Sequence, residues 1–167
     1  FSDSSIEQWL DRVELLGRGD DLHTIGLAPH SVRAVHLNEL AVVAQHRDDR
    51  VVHIHVSEQP AENDACRAVT GRTPTRMLAD SGLLGPFATA VHATHLDASD
   101  ISLLGSSKTT ACFCPTTERD LADGIGPSYE LTSAGATLAL GTDSHASIDM
   151  FEEARAVEMH QRLITNQ

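Results

Sequence analysis

Apolar and polar positions alternate along the chain in a strand-and-helix rhythm from Asp21 onward. Short apolar segments of strand length occur five times, as LHTIGLAP, VVHIHVSE, TAVHATHL, TTACFCP and TLALGTDS. Longer amphipathic stretches lie between and after them: SVRAVHLNELAVVAQHR, residues 61–84, DASDISLLG and residues 150–163. Between TTACFCP and TLALGTDS lie a loop with Gly124 and Gly126 and the segment SYELTSAG. Strands separated by helices are typical of parallel βαβ units. The pattern therefore predicts an α/β fold.

The polar residues that end the apolar segments distinguish between the two common α/β architectures. A barrel assembles its active site from the carboxyl ends of many strands, whereas a doubly wound sheet binds ligands near one switch point. Here all five segments carry such residues, namely His30, His55 with Glu58, His92 with His95, Thr116 with Thr117, and Asp143. We therefore expect a partial TIM (β/α)8 barrel, strands 4 to 8, as one partial catalytic domain over residues 1–167. Three further strands are expected before Phe1.

Composition narrows the class of partner. The 12 Lys and Arg residues face 24 Asp and Glu residues, and this net charge of −12 disfavours nucleic acid and anionic membrane surfaces. No apolar run reaches the roughly 18–20 residues that a membrane span needs. The three cysteines, Cys66, Cys112 and Cys114, favour reduced thiols in the cytoplasm over a disulfide framework. Cys112 and Cys114 would share one face of a strand, where they could pack as small apolar groups or bind a metal.

The segment HIHVSE carries the first candidate chemistry. Neutral imidazole is a good zinc ligand, and a nearby carboxylate that does not bind the metal can carry protons. We therefore predict that His55 binds a metal and that Glu58 transfers protons. The alternative is that His53 and His55 are ordinary strand residues on one side of the sheet.

The segment LGTDS places Asp143 directly after an apolar strand. A carboxylate there could complete a metal site and accept a proton from an attacking water. The alternative is that Asp143 or Ser144 caps the following helix. Lys108, the only lysine, precedes a strand rather than ending one. A bridging carbamylated lysine is therefore not expected, and one metal is expected rather than two.

Two further strand ends offer groups that could act on a substrate. In VHATHL we assign His92 to the attacking water or to the substrate, and we leave His95 outside the site as a structural or solvated residue. In APHSVR, His30, Arg33 and the free amides of a helix start could bind an anion, most naturally a substrate carboxylate. The alternative for Arg33 is a solvated side chain. His55 and Asp143 provide only two metal ligands, so at least one more must come from elsewhere.

The motifs HIHVSEQ, VHATHL, CFCPTTERDLADGIGP and LGTDSHASIDMFEEAR, in this order, resemble the amidohydrolase superfamily and, within it, the formimidoylglutamate deiminases of histidine degradation. The resemblance implies one zinc per active site, with another divalent metal left open, held by His55 and Asp143. It implies that Glu58, His92 and Asp143 are catalytic and that His30 and Arg33 bind substrate carboxylates. It also implies two ligands from an HxH motif upstream of Phe1, so this chain alone is expected to be inactive.

Two alternatives to a formimidoylglutamate deiminase remain open at this point. The first is another deaminase of the superfamily that acts on a nucleobase or a related ring, although an aromatic content of 4% favours a small acidic substrate. The second is a non-catalytic half-barrel that binds another polypeptide. The expected partner is a small molecule with carboxylates, without nucleic acid or membrane, and a homodimer is left open.

Overall fold

The computed structural model describes residues 3–144 and 148–166, so residues 145–147 of the last motif lie outside the described residues. Helices and strands alternate within these ranges as the sequence predicts. In chain order they are α1 (Ile6–Leu16), α2 (Leu37–His46), β1 (Val52–Val56), α3 (Pro60–Thr70), α4 (Pro74–Ser81), β2 (Ala88–His92), α5 (Ala98–Ser107), β3 (Thr110–Phe113), α6 (Pro115–Asp120), α7 (Ser128–Ala134), β4 (Thr137–Leu140) and α8 (Met150–Thr165).

The four strands form one parallel sheet in the order β1-β2-β3-β4. The order does not reverse, and an unreversed order lacks the switch point that defines a doubly wound sheet. Each strand is connected to the next through at least one helix, as parallel strands require. The observed topology therefore agrees with the predicted partial barrel.

The first predicted strand, LHTIGLAP, is not a regular strand, so the prediction was wrong for this segment. The segment meets β1 through isolated parallel bridges, Leu27 with Val52 and Ser31 with His55. Leu27 donates to the Val51 carbonyl at 2.8 Å and accepts from the His53 amide at 2.9 Å. Pro29 interrupts the pattern because proline has no amide hydrogen to donate to a ladder. The result is an irregular extended edge beside β1.

The two faces of the sheet differ in burial. In β1 the side chains of Val52, Ile54 and Val56 are buried, whereas His53 is exposed and His55 is half-buried. The buried face packs into the main core, which also contains Leu78, Leu104, Phe113 and Leu131 from the helices and strands around it. The opposite face is the one that lines the interior of a closed barrel. No helix in the described ranges is long and apolar enough to cross a bilayer.

Candidate active site

Non-glycine residues in the left-handed region of backbone space follow or end three of the four strands. They are Ser57 after β1, His92 and Ala93 at the end of β2, and Asp143 after β4, with φ of 51°, 69°, 49° and 47°. Such conformations cost on the order of 1–2 kcal/mol per residue and persist where the surrounding structure holds them. Two of the four, His92 and Asp143, are residues that the sequence assigned to the site.

Three histidine rings from neighbouring chain segments lie side by side at these strand ends. The ring centroids of His30 and His55 are 4.9 Å apart, and those of His55 and His92 are 5.6 Å apart with nearly parallel planes. The Nδ1 atom of His55 is 2.9 Å from the main-chain oxygen of His30. Because a carbonyl only accepts, Nδ1 carries the hydrogen, and the lone pair of Nε2 is free. Histidine ligands of metals are usually held in this way, so His55 fits a zinc ion.

Glu58 links the histidines to Arg33. Its Oε2 atom accepts a hydrogen bond from Nη2 of Arg33 at 2.8 Å, and its Oε1 atom lies 3.7 Å from Nε2 of His92. Burial opposes ionisation of the Glu58 carboxyl, but the hydrogen bond from Arg33 and the charge of His92 outweigh it and hold its pKa below the usual value. Glu58 is therefore a carboxylate at neutral pH and can accept a proton.

His92 is buried, and a carboxyl group that is not among the predicted site residues, that of Glu118, lies against its ring. The Nδ1 atom of His92 is 3.3 Å from Oε1 of Glu118, which also accepts the main-chain hydrogen of Cys114 at 2.8 Å. Burial lowers the pKa of His92, but Glu118, Glu58 and Asp143 together raise it above its usual value. The sequence feature that could have indicated Glu118 is its position as the acidic residue in the first turn of α6, which directly follows β3.

Cys112 on β3 and Cys114 just after it lie at the same strand ends as His92 and Glu118. Cys114 is buried, Cys112 is half-buried, and both sulfur atoms lie against Gly141, at 3.1 and 3.5 Å from the point that a Cβ atom there would occupy. In the described part of the chain, the ligating atoms of His92, Cys114 and Glu118 all lie within 4.8 Å of one another. Both thiols pack against Gly141, as one of the two sequence interpretations expects, and metal binding by these cysteines stays a prediction.

Asp143 lies on the exposed turn after β4. The turn is anchored by the hydroxyl of Thr117, which donates to the main-chain oxygen of Thr142 at 2.9 Å. The charge of Asp143 is near enough to His92 to contribute to its raised pKa. The helix-cap alternative is excluded for Asp143, because the cap of α8 is Asp149. The metal-binding role of Asp143 stays a prediction.

His30 and Arg33 lie together beside β1, as predicted, but they do not lie at a helix start. Helix α2 begins only at Leu37, so the expected free amides of a helix end are not at this position. The hydroxyl of Ser31 instead organises the turn, at 2.9 Å from Nδ1 of His30 and 3.3 Å from the amide of Arg33. Partial burial and the charges of His55 and Arg33 lower the pKa of His30. Because His30 therefore gains a proton less readily, the guanidinium of Arg33 is the permanent positive charge beside His30 and Glu58.

His95, which was placed outside the site, holds loops together. Its Nε2 atom is 2.5 Å from the main-chain oxygen of Asp123, and its own main-chain oxygen accepts from Asn63 at 2.6 Å. Gln59 donates to the Asp123 carboxylate at 2.8 Å. These contacts join the loops that follow β1 and β2 to the loop that follows α6, and they support a structural role for His95.

Sequence comparisons place the chain among known proteins. The amidohydrolase family model matches residues 2–166. Over 142 residues the chain is 40% identical to formimidoylglutamate deiminase of Pseudomonas aeruginosa, a match that covers 84% of this chain and 31% of that protein. It is 39% identical over 140 residues to 5-methylthioadenosine/S-adenosylhomocysteine deaminase of Teredinibacter turnerae, covering 82% of this chain and 31% of that protein. The chain thus spans about a third of the length of these relatives.

A solved structure extends the match to three dimensions. The chain superimposes on an adenosine deaminase from Xanthomonas campestris, solved with bound zinc, with a TM-score of 0.90 and 30% identity. The match covers 96% of this chain and 38% of that protein. Neighbours of this kind share the amidohydrolase barrel, and they cover nearly all of the present chain. On the family model, the sequence identity and the common fold, this chain belongs to the amidohydrolase family.

Proposed function

We propose that the polypeptide containing this chain is a zinc-dependent hydrolytic deiminase that converts N-formimino-L-glutamate into N-formyl-L-glutamate and ammonia. The observation that carries the proposal is the guanidinium of Arg33, fixed 2.8 Å from Glu58 and beside His30. A guanidinium binds carboxylates well, and it lies next to the group proposed to move the proton. The 40% identity to formimidoylglutamate deiminase supports the same substrate. The proposal includes a cytoplasmic role in histidine degradation.

His55 and Asp143 are proposed to hold the metal, together with ligands from outside this chain. Zinc bound there would supply an activated water at neutral pH and would polarise the C=N bond. His55 is prepared for this by the hydrogen bond from its Nδ1 atom to the His30 carbonyl. Asp143 provides a carboxylate on an anchored turn, close to His92.

The remaining residues are proposed to move protons and hold the substrate. Glu58, a carboxylate at neutral pH, accepts a proton from the attacking water and delivers it to the substrate nitrogen. A C–O bond forms at the formimino carbon as the C=N π electrons take up this first proton at nitrogen. The hydroxyl proton of the tetrahedral intermediate then passes through Glu58 to the same nitrogen, the C–N bond breaks, and ammonia leaves as the carbonyl forms. His92 forms a hydrogen bond to the attacking oxygen, while His30 and Arg33 bind a substrate carboxylate. Asp143 shares in the removal of the proton from the water.

The competing function is deamination of an adenine nucleoside. The identity of 39% to 5-methylthioadenosine/S-adenosylhomocysteine deaminase is nearly as high as that to formimidoylglutamate deiminase. 5-Methylthioadenosine and adenosine offer Arg33 no anion, which is why we prefer the acidic substrate over them. S-adenosylhomocysteine carries one carboxylate, so only the substrate panel separates it from N-formimino-L-glutamate. The third candidate is a half-barrel without catalysis that binds another polypeptide.

The test is a substrate panel on the full-length gene product. Ammonia release is measured from N-formimino-L-glutamate, S-adenosylhomocysteine, adenosine and guanine, and bound metal is measured per chain. We expect turnover of N-formimino-L-glutamate with about one zinc, and a kcat about 10²–10⁴-fold lower in Glu58→Gln. Arg33→Met should raise KM for formiminoglutamate, whereas Arg67→Met, an exposed arginine paired with Asp97, should not.

Each outcome of this panel assigns the function differently. Turnover of a nucleoside or of guanine alone would keep the deaminase chemistry and replace the substrate. No metal and no turnover with any substrate would favour the binding half-barrel. Asp143→Asn that keeps both zinc and activity would remove Asp143 from the proposed ligands.

A further inference from the structure

Glu118 is a buried carboxyl group with two specific partners. Its side chain is 4% exposed, and its Oε1 atom accepts the amide hydrogen of Cys114 at 2.8 Å and faces Nδ1 of His92 at 3.3 Å. A buried carboxylate is destabilising by several kcal/mol unless it is paired and hydrogen-bonded. His92 is the ionisable partner that Glu118 contacts, so the packing of α6 places this carboxyl group directly against the ring.

The contact determines which nitrogen of His92 carries a hydrogen. A carboxylate only accepts hydrogen bonds, so Nδ1 must donate to Glu118. In the neutral ring the lone pair is then on Nε2, and this is the nitrogen that lies 3.7 Å from Glu58. The ring is 1% exposed and nearly parallel to that of His55, so it has little freedom to turn over.

We propose that Glu118 is a positioning residue that fixes the tautomer and the orientation of His92. With Nδ1 of His92 held by Glu118, the Nε2 atom of His92 faces the space beside Glu58 at the strand ends. There it can form a hydrogen bond to the attacking oxygen. This inference rests on the proposed function of the site, because it assigns Glu118 through the role of His92. Glu118 itself does not touch the substrate.

A spectroscopic experiment tests the contact directly. The full-length protein is labelled with ¹⁵N-histidine, and the His92 ring is assigned from its loss in His92→Gln. Spectra are compared for the unchanged protein, Glu118→Ala and Glu118→Gln at a pH where the ring is neutral. We expect Nδ1 to carry the hydrogen in the unchanged protein and in Glu118→Gln, whose amide oxygen still accepts. In Glu118→Ala the hydrogen should move, at least partly, to Nε2.

Glu153 provides a matched control. It is also fully buried, and it accepts the amide hydrogen of Thr116 on α6 at 3.0 Å, but it lies on α8 and contacts Thr116 rather than His92. Glu153→Gln should lower the melting temperature and leave the His92 tautomer unchanged. Glu118→Ala should lower kcat about 10- to 100-fold, with KM changed less than about threefold. Glu118→Gln should recover part of the lost kcat.

The outcomes separate this inference from the proposed function. A changed tautomer in Glu118→Ala supports the positioning role even if no substrate of the panel is turned over. An unchanged tautomer in Glu118→Ala overturns it, as does an equal loss of kcat in Glu153→Gln. A second metal per chain that is lost in both Glu118→Gln and Cys114→Ser would assign Glu118 to a metal site with His92 and Cys114, and would also overturn it.

Discussion

Glu62 is a buried carboxyl group whose charge opposes folding. Its Oε2 atom accepts the amide hydrogen of Glu58 at 3.0 Å, but its Oε1 atom is enclosed without a hydrogen-bond partner among the described residues. Burial raises the pKa of Glu62, and the charge of Arg33 only partly offsets this. The folded protein therefore binds this proton more tightly than the unfolded chain does. The stability from Glu62 is present below the unfolded pKa and is lost as the pH rises through the raised folded pKa.

We expect Glu62→Gln to stabilise the full-length protein at pH 7–8 by about 1 kcal/mol, because the neutral amide has no buried charge to desolvate. Below about pH 4, where both states of Glu62 are protonated, the gain should disappear. The measurement is the melting temperature of both proteins across this pH range. Glu158→Gln, at an exposed position on α8, should show no such gain. A gain that does not depend on pH would contradict this explanation.

Helices α5 and α7 approach closely because α5 carries glycine at the contact. A Cβ atom on Gly105 would lie 2.3 Å from the main-chain oxygen of Ala134 and 2.6 Å from its Cβ atom. Glycine inside a helix is about 1 kcal/mol less favourable than alanine, so packing rather than helix propensity explains this residue. The N-terminus of α5 is stabilised separately from this contact, by the capping box of Asp97 and Asp100.

Gly105→Ala should therefore destabilise the full-length protein, although alanine is the better helix former. We expect a loss of about 1–3 kcal/mol, because the clash is with main chain that cannot rotate away. The matched change is Ser106→Ala at the next, exposed position, which should stay within about 0.5 kcal/mol. Urea unfolding of the three proteins gives the comparison. An unchanged or raised stability in Gly105→Ala would show that α5 and α7 can separate at little cost.

As a whole, the described chain is an arc of four parallel strands covered on one face. Parallel sheets are almost always covered on both faces, yet His53 and Thr137 lie exposed on the other side, and Leu138 is 36% exposed on the last strand. Uncovered faces and free strand edges promote association. The complete relatives are about three times as long, which leaves enough chain to complete a barrel.

The polypeptide of residues 1–167, expressed alone, should therefore self-associate and release no ammonia from N-formimino-L-glutamate. Sedimentation at several concentrations should give a mass above 17.9 kDa that rises with concentration. The full-length gene product should instead give one defined species under the same conditions. A monodisperse 17.9 kDa monomer with full activity would show that the arc is closed and complete by itself.

Much of this architecture could be predicted from local pattern. The apolar segments of β1 to β4 and the helical stretch of α8 were located correctly, because side-chain periodicity reports burial directly. The prediction was wrong at the first strand, where Pro29 interrupts the ladder, and at the start of α2, which begins six residues later than the amphipathic pattern. The first error concerns a whole segment and the second a helix boundary. In both places a few hydrogen bonds decide between an extended segment, a turn and a helix.

The sequence by itself determined the fold class, the family and the positions of His55 and His92 at strand ends, because these follow from periodicity and from motifs. Tertiary structure was needed for the pairing of Arg33 with Glu58 and for the contact of Glu118 with His92. The partners are 25 and 26 residues apart in the chain and come from different segments. Periodicity tells which face a side chain occupies. Distances across the sheet depend on strand register and on the left-handed turns at the strand ends, which no local pattern of these residues specifies.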